Sequence, residues 1–376
     1  MRRVVFSLGL LLALTAAVPA AAQVPDVPCT RPVEAPAPAQ PDTDLHRLAR
    51  GEGVRVAVID TGVAAHPRLR VEPVADLVSP GAPDPHLDCD GHGTVVAGVV
   101  TDIAPGAVIL SIRQSSAHHR QVDGGAAGTL AGLAAAVHEA LDAGAQVINV
   151  SVVSCLDAGV LLDARPLHDA LDRAESEGAV VVAAAGNAGS VCQPGMVVHP
   201  AQEETVLAVA AVHPQDPHAV ADYVMPGVGQ VAAPGRVAVG PSPTGVGWAS
   251  GVVDDRGQES GFEGTSFAAP VVSGVAALLR ERYPHESAAQ IRERIRQAAQ
   301  PGHGVVDPQA TLTHLAGDYA VAGREVGIGK QESPVPQAPG RAAAIVGGLG
   351  VMVLAGVLLR GLSGFSAPGR SGARRG

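Results

Sequence analysis

Five stretches of this chain are apolar almost without interruption, and each has the length of a strand: Arg55–Ile59, Val108–Ile112, Gln146–Ser151, Val180–Ala184 and Val206–Val212. A strand with one face in water alternates apolar and polar residues, so runs of this kind belong to strands covered on both faces. Between and after them come patterns of helical period: His92–Val100, Leu130–Ala143, Leu167–Glu177, Phe267–Arg282 and Ala288–Ala299. The alternation predicts an α/β fold with a mainly parallel central sheet and helices on both faces. In such sheets chemistry gathers at the carboxyl ends of the strands, and Asp60 ends the first run.

The chain has 376 residues, of which 47% are hydrophobic but only 2% aromatic, so the core must be built from Val, Ala and Leu. Its formal net charge of −10 leaves no basic surface for phosphates and excludes a nucleic-acid partner.

The two ends have a different composition. Residues 1–22 combine Arg2 and Arg3, an apolar run from Val4 to Val18 and an Ala-x-Ala close at Ala20 and Ala22, the three-part pattern of a secretory signal peptide. Residues 342–359 are uncharged, bracketed by Arg341 and Arg360, and at 1.5 Å per residue reach about 27 Å, enough for one transmembrane helix. The basic tail 360–376, with Arg360, Arg370, Arg374 and Arg375, is expected in the cytoplasm, which puts the rest outside the cytoplasmic membrane. Residues 23–50, with the run VEAPAPAQP from Val33 to Pro41, read as an extended arm, and 318–341 read as a Pro/Gly-containing linker. An exported chain sits where thiols oxidise, and its four cysteines allow three pairings, among which the spacing does not choose.

Three short motifs lie between these ends. VAVIDTGV (Val56–Val63) places Asp60 at a strand end, DGHGTVVAG (Asp90–Gly98) opens a helix at His92, and GTSFAAP (Gly264–Pro270) sets Ser266 at a helix start. Pro270 is expected in the first turn, where a missing N–H costs nothing. Alone, each motif is an ordinary cap or turn. Together they supply a hydroxyl nucleophile, a base to take its proton and a carboxylate to orient that base. AAAGN (Ala183–Asn187) adds Asn187, an amide able to stabilise an oxyanion together with the Ser266 backbone N–H.

With these motifs in the order Asp, His, Ser, the chain from about Val54 to Ala316 resembles the subtilases. The likeness narrows to the mycosins, membrane-anchored subtilisin-like proteases of type VII secretion systems. That narrower likeness rests on the end segments, the cysteine-bearing arm, and the stretches DCDGHGT (Asp88–Thr94) and SIRQSS (Ser111–Ser116). The resemblance implies a subtilisin-like three-layer fold over residues 51–317 around a seven-stranded parallel sheet. It implies the disulfides Cys29 with Cys89 and Cys155 with Cys192, and a groove lined by Ser151, Val152, Val153, Ala184 and Gly186. The implied substrates are polypeptides, and the implied partners are type VII secretion membrane components.

One departure bears on specificity. Where many subtilases have Ser-x-Gly, this chain has Ser151, Val152 and Val153, which narrows the groove and points to restricted processing. At 28 residues the arm is too short to fold as a separate chaperone domain, so activity is expected without its removal. No cofactor and no metal are expected: HExxH is absent, and Asp84, Asp88 and Asp90 match no calcium-loop spacing. The polar stretch Ser115–Gly128 reads as a mobile surface loop near the cleft. A rival reading makes the protein mainly a structural subunit that stabilises the secretion complex.

Overall fold

A computed structural model of the protein describes residues 28–39, 44–119, 128–160 and 163–314. The proposed signal peptide, linker, transmembrane helix and tail lie outside the described residues, as does part of the arm. Among the described residues no helix is long and apolar enough to cross a membrane.

The chain opens with β1 (Arg31–Ala35), β2 (Arg55–Asp60), β3 (Val71–Asp76), α1 (Gly93–Ile103), β4 (Val108–Arg113), α2 (Leu130–Asp142) and β5 (Val147–Val150). Next come β6 (Ser154–Leu156), α3 (Arg165–Ser176), β7 (Val180–Ala184), β8 (Val197–His199), β9 (Val206–His213), β10 (Asp216–Val220) and β11 (Val231–Pro234). Short strands β12 (Arg236–Val237) and β13 (Gly240–Pro241), then β14 (Trp248–Val253) and β15 (Glu259–Glu263), precede α4 (Thr265–Arg282), α5 (Ala288–Ala298) and α6 (Pro308–Thr313).

The main sheet runs β10-β9-β7-β5-β2-β4-β3, with β11 also on β9. All five strands expected from the apolar runs are in it. Seven of its eight strands are mutually parallel, and the eighth, β10, folds back antiparallel on β9, so the sheet is mixed. In β5 and β7 every residue is buried, as continuous apolar runs require of strands covered on both faces. Two packed helix pairs supply the cover, α1 with α4 and α2 with α3. Helix α4 is buried nearly all round, from Thr265 to Arg280, which marks it as the interior helix of the fold.

The strands not foreseen have physical reasons to be illegible. In β3 the edge position leaves Glu72 and Pro73 exposed, and β11 is only VAAP.

The arm is built into the body. Strand β1 pairs antiparallel with β14, and Cys29 is bonded to Cys89, 60 residues on. Thr30 adds two hydrogen bonds, both to the Cys89 carbonyl at 3.0 Å. The second disulfide joins Cys155 to Cys192, beside the β6–β8 ladder. Both implied pairings are therefore present.

Candidate active site

Asp60 is the last residue of β2 and fully buried. Its Oδ1 accepts hydrogen bonds from the Thr61 N–H at 2.8 Å and from His92 Nδ1 at 2.6 Å. A carboxylate oxygen only accepts, so Nδ1 carries the proton and Nε2 is left as the base. Gly93 is required behind this pair, because a Cβ there would lie 2.2 Å from the Gly62 carbonyl oxygen and 3.0 Å from Asp60 Cβ.

His92 is the N-cap of α1 but offers that helix no side-chain cap. Asp88 does the work instead. Its Oδ2 accepts from Thr94 N–H at 2.8 Å, and its Oδ1 accepts from Gly91 N–H at 2.9 Å, His92 N–H at 3.3 Å and Thr61 Oγ1 at 2.8 Å. Burial pushes the Asp88 carboxyl above the usual range, against the pull of its bonds to Thr94 and Thr61, and the Asp60 charge pushes the same way. For His92, burial alone would lower the imidazole pKa. The Asp60 charge and hydrogen bond outweigh it, with help from Asp88 and Asp90, and the net shift is upward.

Ser266 is the second residue of α4. Asn187, just beyond β7, accepts at Oδ1 from Thr265 N–H (3.0 Å) and Thr265 Oγ1 (2.9 Å). The first donor fixes the amide orientation, so Nδ2 is the end left free to donate. A Cβ on Gly264 would meet Nδ2 at 2.8 Å and Ser266 Oγ at 3.3 Å. Nδ2 and Oγ therefore flank one small space that only glycine leaves open. The Phe267 ring lies 4.9 Å from the His92 ring and ties the two halves together. Among the described residues no hydrogen bond joins His92 to Ser266, and such contacts tighten when substrate binds.

The groove residues divide. Val152 and Val153 line a cavity of about 260 Å³ with Gln114, Ser115, Gly128, Leu133 and Ser154. Val153 Cγ2 also lies 3.8 Å from where a Cβ on Gly186 would stand, so it fills part of the space between the two strand ends. Ala184 is buried within β7. Ser151 is buried, and its hydroxyl donates to the Ser266 carbonyl oxygen at 2.8 Å.

One expectation is corrected. Pro270 is the sixth residue of α4, not part of its first turn, so its missing N–H does remove a helix bond. Of the stretch Ser115–Gly128, residues 120–127 lie outside the described residues; at its start Asp90 accepts from Ser116 Oγ at 2.6 Å and Ala117 N–H at 2.8 Å, and His118 is buried. Asp84 Oδ1 accepts from the His86 N–H at 3.0 Å. Among the described residues no group of three His, Cys, Asp or Glu could hold a metal ion.

Reading the sequence for nucleophile, base and acid passed over Asn149, Thr265 and Ser273, and weighed Asp88 only as a calcium ligand. An available signal was the asparagine inside the apolar run VINV, since a buried amide must find partners.

A parallel α/β sheet that carries this carboxylate–imidazole pair at a strand end, with a serine and an amide facing one space at a helix start, defines a subtilisin-like serine endopeptidase. The chain belongs to the subtilase family, Peptidase S8, which matches residues 51–329. Within that family it is similar to the mycosins. It is 39% identical to Mycosin-4 of Mycobacterium tuberculosis over 71% of this chain and 66% of the relative. It is 33% identical to Mycosin-1 of Mycolicibacterium smegmatis over 72% and 70%. The chain thus spans about two thirds of the length of these relatives. Its structure is similar to the crystal structure of MycP1 from Mycobacterium smegmatis, with a TM-score of 0.69 and 31% identity over 78% of this chain and 92% of that one. It is also similar to a chain of an intact ESX-5 inner membrane complex, with a TM-score of 0.69 and 30% identity over 91% and 95%.

Proposed function

We propose that this protein is a membrane-tethered serine endopeptidase that processes a restricted set of secreted polypeptides outside the cytoplasmic membrane, in company with type VII secretion membrane components. The observation that carries the reading is the 2.6 Å bond from His92 Nδ1 to buried Asp60 Oδ1, in the same site as the Asn187 amide and Ser266 hydroxyl that flank Gly264. With Nδ1 held by Asp60, Nε2 takes the Ser266 proton as Oγ attacks the scissile carbonyl carbon. The oxyanion is stabilised by Asn187 Nδ2 and the Ser266 N–H. His92 then gives the proton to the leaving amine, and water, activated by the same imidazole, releases the acyl group. The arm keeps its place in the β1–β14 ladder through this cycle, so activity does not wait on its removal.

Restricted processing is supported by Val153, whose side chain narrows the groove opposite Gly186. The signal peptide, the single helix at 342–359 and the cytoplasmic tail are supported by the apolar and charged pattern of the sequence. Partnership with secretion components is supported by the likeness to a chain of the ESX-5 inner membrane complex. That likeness also favours a second role, as a structural subunit of the assembly.

A fluorophosphonate probe is expected to label the folded protein, and Ser266→Ala to abolish labelling; an unlabelled, folded wild type would overturn the enzyme reading. In cells, secretion that survives Ser266→Ala but not deletion of the chain would make the structural role the essential one.

A further inference from the structure

An α-helical carbonyl is normally met by the N–H four residues on, and for Ser266 that residue is Pro270, which has none. Left buried without a partner, the carbonyl would be destabilising. The bond it receives comes from outside the helix, from Ser151 Oγ at 2.8 Å. A carbonyl can only accept, so the Ser151 hydroxyl must donate to it. The Asn149 Nδ2 at 2.9 Å then donates to Ser151 Oγ, and Asn149 Oδ1 accepts from Ser273 Oγ at 2.9 Å. Every donor and acceptor in this series has one permitted direction. Ser151 is buried, and Asn149 and Ser273 have no exposed surface at all, so water does not compete for these bonds.

We infer that Ser151 is a positioning residue for the nucleophile, its hydroxyl replacing the backbone donor that Pro270 removes from Ser266. The substitution has a geometric consequence. A bond from residue 270 would tie Ser266 only to its own helix, whereas the bond from Ser151 ties it to the end of β5. That strand end continues directly into Val152 and Val153, which line the groove. The wall that holds substrate and the residue that attacks it are thus fixed to each other across 115 positions of sequence. Displacement of a reacting group by about 1 Å is enough to cost on the order of a hundredfold in rate. Asn149 and Ser273 keep the Ser151 hydroxyl aimed, and act only through it.

The inference rests on Ser266 being the nucleophile, as proposed above, and the test separates the two. Inactivation by a fluorophosphonate is measured as kinact and KI for wild type, Ser151→Ala, Pro270→Ala and the double variant. Ser151→Ala is expected to lower kinact about tenfold or more with KI unchanged. The double variant is expected to regain most of that loss, because an alanine at 270 restores the N–H that Ser266 lacks. A rise in KI with kinact intact would make Ser151 a substrate contact, and a double variant as slow as Ser151→Ala would break the link to Pro270; either result overturns the inference. Should Ser151→Ala not fold, Ser151→Thr and Ser151→Val carry the test: the first is expected to hold kinact and the second to lose it, and equal rates would count against a role for the hydroxyl. Wild type that takes no label would instead refute the nucleophile assignment itself.

Discussion

The two halves of the site are built from different chemistry. On the imidazole side the groups around His92 are carboxylates: Asp60 in contact, Asp88 beneath the backbone of residues 91–94, and Asp90 fastened to Ser116. On the hydroxyl side the supports of Ser266 are neutral: Asn187 and Thr265 around Gly264, and Ser151, Asn149 and Ser273 behind the carbonyl. The division follows from what each residue must do in the proposed cycle. His92 has to change charge, so its surroundings must set a proton affinity, and only charges reach far enough through a buried site to do so. Ser266 has to be in one place, and short directional bonds between neutral groups fix position without charging the site. The difference predicts that pH dependence belongs to the first half and pure rate effects to the second.

The largest expected effect is that of Asp60→Asn. With an amide in place of the carboxylate the imidazole is no longer held with its proton on Nδ1, and the rate is expected to fall about 10⁴-fold. Its pH profile is equally diagnostic. A base works only when neutral, and the Asp60 charge holds the His92 pKa above its usual 6.5, so wild-type activity rises with pH through that raised value. Removing the charge must move this acidic limb to lower pH; residual fluorophosphonate reactivity followed against pH checks it, and an unmoved limb would contradict the assignment.

Next in size is Asn187→Ala, which removes one oxyanion donor and is expected to cost about 10²–10³-fold in the rate of peptide hydrolysis. Because the supports on that side are neutral, the acidic limb should stay where it is; a shift would blur the distinction between the halves.

The smallest effect is expected for Asp88→Asn. One amide oxygen replaces two accepting carboxylate oxygens, so the bonds from Gly91 and His92 or the bond from Thr94 are kept but not both, while one negative charge acting on His92 is lost. The acidic limb should move down, by less than for Asp60→Asn, with the plateau rate changed far less than by the other two substitutions. A profile identical to wild type would show that Asp88 only caps α1.

Much of this was legible along the chain, and the reasons differ by element. Asp60, His92, Asn187 and Ser266 stand in short motifs whose glycines leave local space for them, and local patterns survive in a linear reading. The five central strands were legible because burial on both faces demands uninterrupted apolar residues. Strand β3, with Glu72 and Pro73 on its open edge, carries no such signature. Asn149 was passed over because its meaning depends on Ser151 and Ser273, and one of those lies 124 positions away.

The order of the motifs, the apolar runs and the N–H that Pro270 lacks are properties of the sequence itself, because each follows from the covalent chemistry of a residue or the solvation of a short segment. That this missing N–H falls opposite the Ser266 carbonyl, the Ser151 hydroxyl that meets it, the carboxylate beneath α1 and the choice among three disulfide pairings were decided only when the sheet closed. Hydrogen bonds and S–S bonds act over a few ångströms, and which groups come that close is a matter of packing between elements distant in sequence.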